Sequence, residues 1–276
     1  MGQGCVDVYI TVHVEEHRKF MNRLHYGHER FFRLLLDDQC PIPLTLLVAR
    51  VKEEPACPSC DCSLLAEIQS QGVMEVGLHV HPALSRFPYE RQRRIISDEW
   101  NRMVEGTGIM PKTFSGGHWC INANTLKIVR QLGMVVDASV VPGCGVMAYN
   151  GARLRYSDNF TEPYWVSTEQ LDAADPASDL LEMPVSIRPR SSIVDLTTTG
   201  FWDILDFFST MARQKRDRHY LHMTFHSYDV LMPDGKMNFF YDKIKYAVDR
   251  LNGIFNEVNL RTCWSCYLQM NRERAL

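Results

Sequence analysis

Of the ten histidines in this 276-residue chain, four fall where a strand-like run of sequence ends. Thr11-Val-His13-Val-Glu15 closes one run, Glu75-Val-Gly-Leu-His79-Val-His81 a second, and Met223-Thr-Phe-His226 a third. Imidazole and carboxylate are the side chains that bind a divalent ion or move protons near neutral pH. Along a strand, side chains alternate faces, so residues two apart point the same way. In the first run Val6, Val8, Ile10, Val12 and Val14 share one face, and Asp7, Tyr9, Thr11, His13 and Glu15 the other. Met74, Val76, Leu78 and Val80 likewise oppose Glu75, Gly77, His79 and His81, and Leu221, Met223 and Phe225 oppose Tyr220, His222, Thr224 and His226. An all-apolar face belongs against outer helices, which leaves His13, Glu15, His79, His81 and His226 pointing inward. Burying that many titratable groups costs on the order of several kcal/mol unless a metal or reciprocal hydrogen bonds compensate. Two histidines and one carboxylate, with a position left open for water, form a catalytic metal arrangement.

The elements that must position these groups alternate between strand and helix periodicity. Strands are expected at Val6–Glu15, Pro43–Val51, Val73–His81, near Thr113, at Val135–Ser139, Leu180–Val185 and His219–His226, and near Asn259–Thr262. Helices are expected at Arg18–Leu36, Leu64–Ser70, Pro88–Glu105, Asn124–Leu132, Phe201–Lys215 and Asn238–Phe255. Such alternation implies a mostly parallel sheet with helices outside, open or closed into a barrel. In a barrel, functional groups gather at the C-terminal ends of the strands. No repeat, linker or low-complexity block divides the chain, so residues 1–276 read as a single domain.

Thirty Lys+Arg against 33 Asp+Glu give a formal charge of -3, without the basic face that nucleic acid requires. No apolar stretch approaches the roughly 18 residues of a membrane span, and the first residues lack the regions of a signal peptide. The expectation is a cytoplasmic protein with no integral membrane segment. Nine cysteines fit a reducing compartment. Cys57-x-x-Cys60-x-Cys62, on a Pro-rich loop, and Cys263-x-x-Cys266, after a strand-like run, carry spacings that could form a zinc or redox site if they met. Buried thiols are the simpler reading. His17, His25 and His28 read as a solvated helix face, His222 as a core residue bonded to backbone, and Glu75 as a buried acceptor beneath the site. Asp229 could orient a histidine or cap a turn.

These segments resemble the polysaccharide deacetylases, the NodB-homology family of metal-dependent de-N-acetylases. Thr11-Val-His-Val-Glu-Glu16 is similar to the family's T-x-D-D or D-x-D motif, and Glu75-Val-Gly-Leu-His-Val-His-Pro82 to its E-I-G-x-H motif. Phe114-Ser-Gly-Gly-His-Trp119, Ile121-Asn-Ala-Asn-Thr-Leu126, Leu132-Gly133 and Asp137-Ala-Ser139 follow its F-R-x-G-x-W … I-N-x-N-T-L … L-G … D-S-S stretch in order. Met223-Thr-Phe-His226 stands where the family's final histidine strand belongs. The resemblance implies an α/β fold, a distorted (β/α) barrel of about seven strands.

It further implies a divalent metal, zinc first, with cobalt, nickel or iron as alternatives, held by Glu15, His79 and His81. Such an ion would polarise an acetamide carbonyl and acidify water, with His13 or Glu16 as base and His226 as the acid toward the departing amine. His118, Trp119 and Arg188 would contact substrate; Trp119 also reads as packing, and Arg188 with Arg190 as a solvated loop. The chain departs from the family at several positions. His13 replaces the aspartate base, Ser115 the arginine that orients it, and Ala83 the usual second histidine, for which His81 is the nearest substitute. His13 could equally be a fourth ligand. Two functions follow from the resemblance. One is a de-N-acetylase acting on a small or lipid-linked amino sugar in O-antigen, capsule or other glycan biosynthesis. The other is a non-catalytic carbohydrate-binding descendant.

Overall fold

The computed structural model of the chain describes residues 3–15, 27–37, 42–49, 58–143, 147–149, 152–154, 156–157, 159–171, 173–188, 192–193, 201–214, 216–227 and 240–276. Its frame is a nine-stranded sheet. At the centre lies β1 (Gln3–Val14), with β12 (Arg218–His226) parallel along one edge. Its other edge is shared: β13 (Phe255–Arg261) pairs with residues 3–9, and β2 (Thr45–Ala49) with residues 11–14. From β2 the sheet continues in parallel through β3 (Glu75–Val80), β4 (Thr113–Gly116), β5 (Val136–Asp137) and β9 (Leu181–Glu182). It ends in antiparallel β8 (Tyr164–Trp165). Two small hairpins, β6 (Met147–Tyr149) with β7 (Ala152–Leu154) and β10 (Ile187–Arg188) with β11 (Ser192–Ile193), lie off this sheet.

Beyond β9 the sheet folds back onto β12. The Ser186 amide donates to the His222 carbonyl at 3.0 Å, and the His222 amide donates to Ser186 Oγ at 2.9 Å. His222 Nδ1 donates to the Met183 carbonyl at 3.0 Å, and the Thr11 hydroxyl donates to His222 Nε2 at 2.9 Å. His222 is thus a satisfied core residue that closes a distorted barrel. The main sheet has nine strands rather than about seven, because β8 adds an antiparallel edge and β13 takes the half of β1 that β2 leaves unpaired.

The outer face of the sheet is apolar, as strand alternation demands. Val6, Val8, Ile10, Val12 and Val14 pack with Val76, Leu78, Val80, Leu221, Met223 and Phe225 in one large core. Each such side chain stabilises the fold by roughly 1.5–3 kcal/mol on full burial. The helices α1 (Gly27–Asp37), α2 (Pro58–Ser70), α3 (Tyr89–Thr107), α4 (Ala123–Gln131), α5 (Phe201–Arg213) and α6 (Phe240–Asn252) contribute Phe31, Leu65, Ile96, Leu126, Phe208 and Leu251 to that core. Asn122 starts α4 through a capping box, its side chain accepting from the Thr125 amide while Thr125 Oγ1 accepts from the Asn122 amide.

Two segments differ from the sequence expectation. α2 begins at Pro58, six residues before Leu64, so Cys60 and Cys62 lie on helix rather than loop; proline is favoured in a helix's first turn, where its missing N–H costs nothing. After β13 the chain forms α7 (Cys263–Ala275), which periodicity did not reveal because only Cys263 and Cys266 are buried on it. The Thr262 side chain caps α7 through the Ser265 amide. The Cys263 and Trp264 amides donate to Thr45 Oγ1 at 2.9 Å and Glu75 Oε2 at 2.8 Å. Free amides and the helix dipole favour a carboxylate at this end. Glu75, which also accepts from the Thr45 and Thr113 hydroxyls, therefore forms the floor of the barrel rather than part of the site.

Cys263 and Cys266 join Tyr9, Val136, Leu181 and Met183 in an inner cluster. Burial pushes the Cys263 thiol well up and Cys266 up to about 12. Cys62 lies on the outer side, its Sγ against Gly106 of α3. Cys57 is outside the described residues, and the described cysteines form no common ligand set.

Candidate metal centre

One strand displays the barrel interior from floor to mouth. Inward side chains of β1 are spaced two residues apart, roughly 6.6–6.8 Å. Asp7 meets Arg261 at 3.2 Å and Arg218 at 3.7 Å at the floor. Above it Tyr9 enters the inner apolar cluster, and Thr11 bonds His222. His13 stands directly opposite His226 in the parallel register with β12, and Glu15 follows at the mouth.

β3 brings the complementary groups. His79 is buried, and its Nδ1 donates to the Ser115 carbonyl at 2.9 Å. A carbonyl can only accept, so this bond fixes the proton on Nδ1 and turns the Nε2 lone pair of neutral His79 into the site, the tautomer a metal ligand needs. His79 Nε2 lies 3.1 Å from His81 Nε2 and 3.5 Å from Glu15 Oε2, while His81 Nε2 contacts Glu15 Oε2 directly. Ligand atoms of Glu15, His79 and His81 all lie within 4.8 Å of one another. A tetrahedral zinc site with bonds of about 2.0–2.1 Å has edges of roughly 3.3 Å, which the two edges from His79 match, while the His81–Glu15 contact is shorter. His226 Nε2 sits 3.3 Å from the other oxygen of the same carboxylate, Glu15 Oε1.

The electrostatics agree with this donor set. Burial alone would raise the Glu15 carboxyl, but hydrogen bonds and charge from His79 and His81 hold it well below the usual carboxylate range. Burial lowers His79, and Glu15 only partly offsets that. Burial, reinforced by His79 and His226, lowers His13 well below an ordinary imidazole. The His13 ring lies 4.6 Å from His79, 5.2 Å from His226 and 5.7 Å from Trp119 by ring centroids.

The wall beside these groups is a tight turn after β4. The peptide of Gly117 passes so close to β3 that a Cβ there would lie 2.8 Å from His81 Nδ1 and 2.9 Å from the Val80 carbonyl. His118 and Trp119 then adopt left-handed backbone conformations, φ 55° and 53°, each costing roughly 1–2 kcal/mol for a side-chain-bearing residue. The turn brings His118 to 5.2 Å from the His81 ring and lays Trp119 against His13. Burial, with His81 next, lowers His118 to about 4. Trp119 Nε1 is buried without a hydrogen-bond partner among the described residues. Ser115, at the arginine position of the resemblance, turns its hydroxyl to the Ala138 carbonyl at 3.4 Å.

The structure thus brings together His13, Glu15, His79, His81, His118, Trp119 and His226. Glu16, Arg190 and Asp229 lie outside the described residues, and Arg188 is described only as backbone of β10. Behind the wall are groups to which the sequence reading gave no role. Asp137 and Glu182 stand opposite each other in the β5–β9 register, both fully buried. Tyr156 lies beside them, its hydroxyl donating to the Trp119 carbonyl.

No protein-family model and no curated protein sequence matches the chain. Solved structures do. A polysaccharide deacetylase so described from Mycobacterium smegmatis superposes with TM-score 0.62 at 15% identity, covering 99% of this chain and 92% of its own. The chitin deacetylase of the fungal pathogen Colletotrichum lindemuthianum gives TM-score 0.50 at 11% identity, covering 94% and 86%. A 4-alpha-glucanotransferase from Thermococcus litoralis gives TM-score 0.55 at 11% identity, over 96% of this chain and 38% of its own. The fold is therefore the NodB-like distorted (β/α) barrel of the polysaccharide deacetylases. A glucanotransferase carries a similar barrel, so the activity has to be argued from the site.

Proposed function

We propose that this chain is a divergent relative of the polysaccharide deacetylases that removes the acetyl group from an N-acetylated amino sugar by metal-dependent amide hydrolysis. The observation that carries the reading is the convergence of Glu15, His79 and His81 within 4.8 Å at the strand ends. These three would hold a divalent ion, zinc first. When bound, the ion supplies Lewis-acid polarisation and acidified water. His13, kept neutral by burial, accepts a proton. His226, partly open to solvent beside Glu15, delivers one to the departing amine. His118 and Trp119 form the wall against the sugar ring, while Glu16 and Arg188 are held as further base and anion-binding candidates. A small or lipid-linked amino sugar of surface-polysaccharide biosynthesis, in the cytoplasm, is the substrate class and setting proposed. Among the described residues, no helix is long and apolar enough to cross a membrane.

A second reading is favoured by two residues. His13 stands where the family's carboxylate base belongs and Ser115 where its arginine belongs, which suits a carbohydrate-binding descendant without turnover. Acetate release from chitooligosaccharides and from nucleotide-linked N-acetylhexosamines separates the two. Release that chelator abolishes and added zinc or cobalt restores supports hydrolysis. Sugar binding without acetate release, by metal-loaded protein, supports the second reading.

A further inference from the structure

We infer that Tyr156 is a positioning residue for the site, holding the left-handed His118–Trp119 turn so that Trp119 sets the orientation of His13. The assignment rests on the proposed reading of His13 and Trp119 as parts of one site.

The turn is strained. Two consecutive side-chain-bearing residues sit at φ 55° and 53°, immediately after Gly116 and Gly117. One hydrogen bond closes the turn across His118 and Trp119, and the flanking backbone is tied to neighbouring elements. The Gly116 amide donates to Ser139 Oγ at 2.8 Å, the Cys120 amide to the Gly117 carbonyl at 3.1 Å, and the Ser85 amide to the Cys120 carbonyl at 2.9 Å. The Trp119 carbonyl, at the strained residue itself, is reached by a side chain 37 residues away, the Tyr156 hydroxyl. Tyr156 is 1% exposed and packs with Val140, Val141 and Val185, with Trp119 against the same cluster. That anchorage is buried, and it sets which way the indole leaves the turn. The indole lies 5.7 Å from His13 and packs on it at an interplanar angle of 46°. Without the hydroxyl, the turn keeps its closing Gly117–Cys120 bond but loses the side-chain anchor on the Trp119 carbonyl, and the indole can swing from His13.

The test is NMR of protein labelled with 5-fluorotryptophan and with ring-labelled histidine, comparing wild type, Tyr156→Phe and Tyr164→Phe. Tyr164 is the control because its hydroxyl also donates to a backbone carbonyl, that of Leu171, which is not part of the turn. In Tyr156→Phe the Trp119 fluorine line, assigned with Trp119→Phe, shifts or splits. The ring-current displacement of the His13 protons falls by at least half, while zinc stays at one equivalent per chain. Tyr164→Phe leaves both signals in place. An unchanged Trp119 line in Tyr156→Phe, or the same change in Tyr164→Phe, overturns the assignment. If Tyr156→Phe does not fold, the wild-type Trp119 carbonyl carbon serves instead. A hydrogen–deuterium isotope shift from a hydroxyl donor supports the assignment and its absence refutes it. Neither arm requires turnover, so loss of the deacetylase reading is seen separately, as absent acetate release. If acetate is released, Tyr156→Phe lowers turnover about tenfold with metal retained.

Discussion

Asp137→Asn should raise the stability of this protein at neutral and alkaline pH, with a gain about threefold smaller near pH 4.5. Asp137 Oδ1 accepts from Ser139 Oγ at 2.6 Å, and Glu182 Oε1 accepts from the Val140 amide at 3.1 Å. The remaining oxygens, Asp137 Oδ2 and Glu182 Oε2, are buried without a donor among the described residues, and the two residues face each other across the β5–β9 register. A proton held between them is the donor that satisfies both. Burial pushes Asp137 up to about 6 from an ordinary 3.8, and burial with the facing Asp137 charge pushes Glu182 well above the usual range. Tyr156, beside the pair, is raised by burial and by the Asp137 charge and stays neutral.

Both native values lie above the unfolded ones. The native state therefore binds more protons than the unfolded chain above about pH 4, and stability falls as pH rises from there to the native values. One excess proton costs about 1.4 kcal/mol per pH unit, so two units amount to about 3 kcal/mol. Asparagine keeps an oxygen for Ser139 and offers an N–H toward Glu182 Oε2. Urea unfolding followed by circular dichroism, with chelator present in every sample, is the assay. The expected gain is about 1 kcal/mol at pH 4.5 and about 3 kcal/mol at pH 7.5, the latter a Tm rise of about 5–10 °C. The lowered histidines His13, His79 and His222 act in the opposite sense on acidification, but both proteins share them and they cancel in the difference. Unfolding free energies that differ by the same amount at every pH would refute the shared proton.

Further outcomes follow from the same geometry. His226→Ala should keep the metal and, if acetate is released, lower turnover about 10²–10⁴-fold, the range for loss of an acid or base; metal analysis beside initial rates checks both halves. Gly117→Ala puts a methyl carbon 2.8 Å from His81 Nδ1, so zinc affinity should fall at least about tenfold by competition with a chromophoric chelator, the low end of the range for disturbed ligand orientation. Cys263 and Cys266 should resist a thiol reagent in the native protein and react on unfolding, because both are buried and burial raises their thiols. Rapid native-state labelling at both positions would show that α7 does not seal the barrel floor.

Much of the site could be read from the chain because it obeys strand alternation. Val6 through Val14 mark the outer face of β1, and that one inference sends His13 and Glu15 inward; the same holds for His79 on β3 and His226 on β12. His222 and Glu75 were legible as core groups from their depth along the same strands. What escaped lacks periodicity. α7 buries only Cys263 and Cys266 in its first turn, too little to imprint a helical pattern. Asp137 and Glu182 sit in apolar runs on two-residue strands, where an acid resembles a surface interruption until its partner appears across the sheet. Tyr156 gives no local sign of its role, since its target is 37 residues earlier. The left-handed turn was hinted at only by Gly116-Gly117, glycines being the residues that allow such close backbone approach.

On the proposed reading, Glu15, His79 and His81 hold one divalent ion at the barrel mouth. Elemental analysis of protein stripped with chelator, reloaded with zinc and desalted tests it most directly, comparing wild type with His79→Ala, His81→Ala and the Glu15→Ala/His79→Ala double variant. One equivalent in wild type, lost from all three variants while their circular dichroism is unchanged, is the expected result. Metal retained at full stoichiometry in the double variant would contradict the assignment.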